Sequence, residues 1–299
     1  MTKKIEVVQY QLGNHAVLKR AVDGGPIRFP VTGRKRNTTH IYTSTKVANH
    51  IMPAESDAEL EVANLLDVST SVITYMAQPH TLEFARINDK GWWRYTPDFE
   101  VIVPRWFVRE LTKGTPFAVA ALKLPQARAA ADDLVHLVLE VKGASKYRSL
   151  GEADRTEEQK AKRQAKKEDY AAKLVEAESI YTEFGFHFYL VEDKRDLQCI
   201  NLAHLSSILV DAEAIISQEL KGRAVAHLQS CNGMSTYGQV IELLGGSPYG
   251  REAANFLHTQ GLIWIDLSED PALDADVAMP PMLGNRRSLI SLSFCEEVA

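Results

Sequence analysis

One nearly continuous apolar run, residues 135–141, ends in a charged pair and constrains the fold more than any other segment. Such a run is typical of a strand buried in the middle of a sheet. In a strand, Glu140 and Lys142 point to the same face. A carboxylate and an ammonium group are therefore expected side by side at the end of this strand. Burying them is costly unless their charges are paired or bound to a metal ion.

The surrounding sequence predicts strands and helices in alternation. Strands are expected at residues 71–75, 80–86, 92–103 and 186–191, and helices from residue 55 to about 66 and at 155–179. In the long helix, the residues expected to face inward are Ala161, Ala165, Ala171, Ala172, Leu174 and Val175. Residues 1–54 are interpreted as polar and turn-rich, and residues 104–134, with several prolines, as a loop. The order predicts an α/β fold on a mixed sheet flanked by helices.

The pattern changes near residue 200 to short helices. Helices are predicted at 235–244 and 249–259, joined by a glycine-rich turn and followed by a strand at 262–267. This order is typical of a winged helix-turn-helix, although short helical hairpins also occur as plain packing units. We therefore predict two domains, residues 1–200 and a smaller, helical, winged-helix-like domain at residues 201–299.

Further acidic residues are candidates to join the charged pair. Asp98 lies in the strand-forming segment TPDFEV, and Glu59 follows Ser56 with the spacing of a capping box at a helix start. That spacing favours Glu59 over its neighbour Glu61. By themselves Pro-Asp and Glu-x-Lys are common strings, and the alternative is a turn aspartate with a solvated ion pair at a strand end.

The order of the motifs resembles a known nuclease family. The motifs are Ser56-Asp57-Ala58-Glu59, Gln78-Pro79, Tyr95-Thr96-Pro97-Asp98-Phe99 and Leu139-Glu140-Val141-Lys142, followed by a Lys/Glu-rich helix that leads into Gly185-Phe186-His187-Phe188. The series resembles the TnsA endonuclease subunit of heteromeric, cut-and-paste bacterial transposons, within the PD-(D/E)xK superfamily. The resemblance covers roughly residues 30–200 and, more loosely, the helical C-terminal part, and it implies a restriction-endonuclease-like catalytic domain with an N-terminal extension.

The resemblance implies a catalytic set. Glu59 matches the family's helix carboxylate, Asp98 its second acid and Lys142 its lysine. Glu140 falls where the motif takes Glu, Asp or Gln. Mg²⁺, with Mn²⁺ as a substitute, prefers oxygen ligands, so Asp98, Glu140 and the Val141 carbonyl are the expected metal ligands. Glu59 is a further acid for the same metal or a second ion, and Lys142 would orient or help deprotonate the attacking water.

The implied activity is nicking of double-stranded DNA at the 5′ ends of a mobile element, which releases the non-transferred strand. A DDE-class transposase would cut and join the 3′ ends, and an AAA+ ATPase would regulate both. The alternatives are a stand-alone phage or defence nuclease on the same core, and a non-catalytic DNA-binding adaptor on a decayed nuclease fold.

Basic residues outside the catalytic set are candidate contacts to DNA phosphates, although charged loops and helices are often just solvated. The candidates are Arg34, Lys35, Arg36, Lys162, Lys166 and Arg251. The segment after the second short helix is acidic instead, and this favours docking of a protein there.

Composition excludes several other classes. The net charge of −5 gives no global basic signature for nucleic acid, although a local basic patch beside acidic ligands would give the same sum. No apolar stretch approaches about 18 residues, and no signal peptide is recognisable, so no membrane association is expected. Three scattered cysteines favour reduced thiols in a bacterial cytoplasm. Without a Gly-rich phosphate loop, the chain is not expected to bind nucleotide.

Overall fold

The computed structural model describes residues 5–30, 38–85, 91–125, 133–143 and 156–281. Its strands are β1 (Val7–Leu12), β2 (Ala16–Ala21), β3 (His40–Ser44), β4 (Val47–Ala54), β5 (Thr74–Ala77), β6 (His80–Ala85), β7 (Trp92–Tyr95), β8 (Phe99–Pro104), β9 (Leu134–Lys142), β10 (His187–Glu192), β11 (Met234–Thr236), β12 (Trp264–Ile265) and β13 (Asp276–Ala278). Its helices are α1 (Asp57–Val68), α2 (Arg105–Thr112), α3 (Phe117–Leu122), α4 (Glu157–Glu183), α5 (Leu205–Val210), α6 (Gln218–Ser230), α7 (Tyr237–Leu243) and α8 (Tyr249–Thr259). The fold is mixed α/β, as predicted.

Strand β9 lies inside a four-stranded sheet, here called the central sheet, with the order β10-β9-β8-β5. Strand β8 runs antiparallel to β5 and β9, whereas β10 runs parallel to β9. A parallel pair needs a long crossover connection, and α4 lies within it. Leu137 and Leu139 pack in the larger apolar core, and Val138 packs in a smaller one on the other face. The expectation of a buried central strand is confirmed.

A second four-stranded sheet, the N-terminal sheet, has the order β1-β2-β6-β7. The expectation of one strand over residues 92–103 is therefore wrong, because β7 belongs to the N-terminal sheet and β8 to the central sheet. Pro97 lies between them, and proline cannot donate a hydrogen bond to a ladder. Asp98 consequently lies immediately before β8, where the chain passes from one sheet to the other.

Two segments hold more regular structure than predicted. Residues 1–54, interpreted as turn-rich, contribute β1 to β4. In β1, Tyr10 and Leu12 are buried between exposed neighbours, a period of two that the sequence contains. Residues 104–134, interpreted as a loop, contain α2 and α3. Each of these helices starts directly after a proline, Pro104 or Pro116, and a proline there removes no N–H that the helix needs.

Among the described residues, helix α4 packs on the rest of the chain through its C-terminal half. Residues 157–169 are all exposed, and the buried residues are Ala177, Ile180 and Tyr181. The predicted inward face is therefore wrong for every residue except the partly buried Leu174, because the described body does not reach the first turns of the helix. Neither α4, which is strongly charged, nor any shorter helix in the described ranges combines the length and hydropathy needed to span a bilayer.

The chain after residue 200 has the element order α5, α6, β11, α7, α8, β12 and β13. Its three strands form a sheet of order β11-β13-β12. The helices predicted at 235–244 and 249–259 and the strand predicted at 262–267 correspond to α7, α8 and β12. The larger apolar core continues from α1 and the central sheet into α7 and α8. In addition, Trp264 donates a hydrogen bond from Nε1 to the carbonyl of Leu122 at 2.9 Å. The division at residue 200 stays a prediction.

Buried His258 in α8 links stability to pH. Its Nδ1 accepts a hydrogen bond from the Ile265 N–H at 2.9 Å. Burial, together with the charge of Lys46, lowers the pKa of His258 to about 3. In an unfolded chain histidine takes up a proton near pH 6.5, about its ordinary pKa. Below that pH the unfolded state therefore binds more protons than the folded state. The stability that is present above pH 6.5 with a neutral His258 is lost as the pH falls towards 3.

We expect the free energy of unfolding, measured by urea denaturation, to fall between pH 6.5 and 4. The contribution of His258 is at most about 1.4 kcal/mol per pH unit. The His258→Gln variant should show a shallower slope over the same range. Equal slopes in the two proteins would contradict the assignment of this titration to His258.

Candidate active site

Glu59 enters the site from the start of α1. The Ser56 hydroxyl oxygen accepts a hydrogen bond from the Glu59 N–H at 3.2 Å, as expected from their spacing. The Glu59 carboxylate in turn accepts hydrogen bonds from the Glu55 N–H at 2.7 Å and the Ser56 hydroxyl at 3.0 Å. Glu59 is buried, whereas Glu61 is partly exposed. Helix capping therefore fixes where this carboxylate lies.

Asp98 is held against the end of β9. Its Oδ2 accepts a hydrogen bond from the Val141 N–H at 2.8 Å, and its Oδ1 lies 3.4 Å from Gln78 Nε2. Gln78 has a left-handed backbone with φ 48°, which is uncommon for a residue other than glycine. Its N–H donates to the Asp98 carbonyl at 2.9 Å, and its Oε1 accepts from Arg28 Nε at 2.6 Å. Gln78 therefore connects Asp98 to an exposed arginine.

Glu140 and Lys142 lie side by side, as the strand period predicts. Lys142 Nζ and the Tyr170 hydroxyl both donate to Glu140 Oε1, and the Tyr95 hydroxyl donates to Oε2 at 2.7 Å. Lys142 Nζ also donates to the Tyr170 hydroxyl oxygen at 3.0 Å. Glu140 is only 4% exposed. Its charge is thus compensated by one ammonium group and two phenol hydroxyls.

Sequence reasoning missed the tyrosines and a second lysine. Lys173 Nζ lies 4.6 Å from the ring centre of Tyr170 and 5.9 Å from that of Tyr95. Tyr95 is part of the motif that carries Asp98, and Tyr170 is an aromatic residue in an otherwise charged stretch of helix. These two features of the sequence point to the tyrosines, but neither indicates which carboxylate each tyrosine hydroxyl contacts.

The carboxylates influence one another electrostatically. Burial raises the pKa of Asp98 well above its ordinary value, and the charges of Glu140 and Glu59 raise it further. Burial also raises the pKa of Glu59, although the hydrogen bonds from the Glu55 N–H and the Ser56 hydroxyl oppose this shift, and the charge of Glu140 adds to it. Burial lowers the pKa of Lys173, although the charge of Glu140 opposes this shift. The site therefore places three acidic side chains close enough for the charge of Glu140 to raise the pKa of the other two.

The donor set fits a hard divalent cation by ligand type and charge. Within the described ranges, no group of three or more His, Cys, Asp or Glu side chains is close enough to hold a metal ion. A carboxylate has about four acceptor positions, and the hydrogen bonds above leave positions on Asp98 and Glu140 open. A cation between them would also relieve the mutual repulsion of the acids. The roles of the Val141 carbonyl and of Glu59 as ligands stay predictions.

Among the described residues, the predicted DNA contacts Lys162, Lys166 and Arg251 lie on α4 and α8 without a hydrogen bond or ion pair to these acids. Lys162 pairs with Glu158 at 2.8 Å on the exposed part of α4, where Lys166 is also exposed. Arg251 is exposed on α8, with its guanidinium 5.9 Å from the ring centre of Tyr237. No hydrogen bond or ion pair of the described residues joins them to the site. The predicted contacts Arg34, Lys35 and Arg36 lie outside the described residues.

Comparison of the sequence with protein-family models gave no match, and comparison with curated proteins gave none either. What the site can do chemically therefore follows from its own residues. Buried carboxylates with open acceptor positions can bind a hard cation, and a lysine beside them can orient a water molecule or a phosphate oxygen.

Proposed function

We propose that the chain is a Mg²⁺-dependent DNA endonuclease with Asp98, Glu140 and Lys142 at its centre and Glu59 beside them. One observation carries the proposal. The strand-end pair Glu140 and Lys142 is in direct contact, and the Val141 N–H between them holds Asp98. Two acids and a lysine at the ends of adjacent strands are the arrangement that the PD-(D/E)xK resemblance implies.

The element order supports this proposal. Helix α1 precedes three antiparallel strands, β5, β8 and β9, and α4 then leads to β10, which is parallel to β9. This order agrees with a restriction-endonuclease-like core. The order α6, β11, α7, α8, β12, β13 agrees with a winged helix.

Each side chain has a role in phosphodiester hydrolysis. When bound, Mg²⁺ or Mn²⁺ would offset charge on the scissile phosphate and lower the pKa of a bound water. Asp98 and Glu140 would hold it through their open acceptor positions, with the Val141 carbonyl as a further ligand, and Glu59 would serve a water of the metal shell or a second ion. Lys142 has three N–H donors. Glu140 and Tyr170 take two of them, and the third is available to a water or a phosphate oxygen.

The reaction is the hydrolysis of a phosphodiester bond. The water oxygen bonds to phosphorus as the bond to O3′ breaks. The water loses one proton to solvent, and O3′ gains one. The products are a 5′-phosphate and a 3′-hydroxyl.

We further propose that the substrate is the 5′ end of a mobile element and that the partners are a DDE-class transposase and an AAA+ ATPase. The motif order carries this part of the proposal. An open acidic depression in the C-terminal part suits a protein partner better than DNA. It is lined by Asp266, Glu269, Asp270, Asp274 and Asp276.

Nicking of supercoiled plasmid tests the proposal. The protein is assayed with Mg²⁺ or Mn²⁺, alone and with any transposase and ATPase encoded beside it. Lys142→Met should lower the nicking rate by about 100-fold or more, because the methionine fills the space without donating hydrogen bonds. Lys113→Met, at an exposed ion pair with Glu110, is the matched control and should nick like the wild type.

The outcomes separate the alternatives. Nicking only with the partners supports the transposon role, and nicking by the protein alone supports a stand-alone nuclease. No nicking under any condition, together with no Mn²⁺ binding, would contradict the enzyme and leave a non-catalytic adaptor. Full activity in Lys142→Met would contradict the role of Lys142 alone.

A further inference from the structure

We propose that Tyr170 is a positioning residue, whose hydroxyl fills Oε1 of Glu140 together with Lys142 and so leaves Oε2 for the metal ion. The inference rests on the proposed function and adds to it a residue from α4, outside the motif.

The two oxygens of Glu140 are occupied unequally. Lys142 Nζ and the Tyr170 hydroxyl both donate to Oε1, whereas among the described residues Oε2 accepts only from the Tyr95 hydroxyl, at 2.7 Å. A carboxylate oxygen has about two acceptor positions. Oε1 is therefore full, and Oε2 keeps one position open. A metal ion that binds Glu140 without breaking a hydrogen bond must use Oε2.

Tyr170 holds the lysine as well as the acid. A phenol hydroxyl both donates and accepts, and the Tyr170 hydroxyl donates to Glu140 while it accepts from Lys142 Nζ at 3.0 Å. Its ring also contacts the two ammonium groups of the site, with Lys142 Nζ at 4.4 Å and Lys173 Nζ at 4.6 Å from the ring centre. Phenylalanine would keep these ring contacts and lose both hydrogen bonds.

The position of Tyr170 in α4 argues for a role beyond packing. It is the first residue of the helix that is not exposed, and the side chains that anchor α4 in the core lie further along, at Ala177, Ile180 and Tyr181. Tyr181 is fully buried, and its hydroxyl bonds to His80 Nε2 at 2.6 Å. The same helix thus offers one tyrosine at the acids and one in the core.

Titration calorimetry of Mn²⁺ into the full chain tests the inference with Tyr170→Phe and Tyr181→Phe. Groups that orient a metal ligand contribute about 10- to 100-fold to metal affinity. We expect Tyr170→Phe to raise the Kd for Mn²⁺ by about 10-fold and to leave the melting temperature unchanged. We expect Tyr181→Phe to lower the melting temperature and to leave the Kd unchanged. In nicking assays, Tyr170→Phe should need about 10-fold more Mn²⁺ for half-maximal rate with the same KM for DNA.

Three results would overturn the inference. An unchanged Kd in Tyr170→Phe, with normal binding by the wild type, would overturn it and leave the proposed function intact. A raised Kd accompanied by a loss of melting temperature like that of Tyr181→Phe would assign Tyr170 a structural role instead. No Mn²⁺ binding and no nicking by the wild type would overturn both this inference and the proposed function.

Discussion

Replacing Asp98 with asparagine is expected to abolish nicking and to leave the protein at least as stable as the wild type. The amide oxygen can still accept the Val141 N–H bond that positions residue 98. The charge that helps to hold the metal ion is lost, and loss of one such electrostatic contact slows catalysis by about 100- to 1,000-fold. At the same time the substitution removes a buried carboxyl group whose pKa is raised by burial and, in addition, by repulsion from Glu140 and Glu59.

Two measurements on the same preparation check this expectation, namely the single-turnover nicking rate with Mg²⁺ and the melting temperature without metal. Asp270→Asn, at an exposed acid of the C-terminal part, makes the same chemical change and should alter neither. An Asp98→Asn protein that nicks at the wild-type rate would contradict a catalytic role for Asp98. A melting temperature of Asp98→Asn well below that of the wild type would mean that Asp98 stabilises the fold.

The largest effect on stability is expected from Arg20→Met. Arg20 donates to both oxygens of Glu100, at 2.7 and 2.8 Å, and the two residues are 3% and 0% exposed. His80 Nδ1 and His136 Nδ1 complete the cluster, at 2.8 and 2.6 Å from Glu100. Burial alone would raise the pKa of Glu100, but Arg20 and the two histidines outweigh it and hold that pKa well below its usual range. Removing the arginine leaves a buried carboxylate without its main counter-charge.

We expect Arg20→Met to lower the free energy of unfolding by about 3–5 kcal/mol, the usual result of breaking a buried ion pair. The neighbouring Lys19 pairs with Glu83 at 2.6 Å, and both side chains are partly exposed. Lys19→Met should therefore cost at most about 1 kcal/mol. Urea denaturation of both variants gives the comparison. Equal effects of the two substitutions would contradict the structural role of the buried cluster.

Local periodicity predicts the parts of the site that lie on one element. Glu140 and Lys142 are neighbours because a strand repeats every second residue, and Ser56 caps Glu59 because a helix start has fixed spacing. Tyr170 and Gln78 reach the acids only through the packing of distant elements. No local pattern gives that packing, so Tyr170 was not identified from the sequence, and Gln78 was recognised only as part of a motif, without a role.

The errors in the fold have similar causes. The residues from 92 to 103 are apolar enough for one strand, and only the sheets on either side of Pro97 decide that there are two. Pro104 and Pro116 were interpreted as loop signals, although each precedes a helix. In α4, the spacing of the apolar residues places them on one face of the helix. It does not indicate whether another part of the protein packs against that face.

The most direct test of the site is Mn²⁺ binding, followed by electron paramagnetic resonance on the purified chain. The wild type is compared with the double variant Asp98→Asn/Glu140→Gln, which preserves the shape of both side chains and removes both charges. We expect the wild type to bind Mn²⁺ and the double variant to lose that binding. A wild type that binds no Mn²⁺, or a double variant that binds it equally well, would contradict a metal site at these two acids.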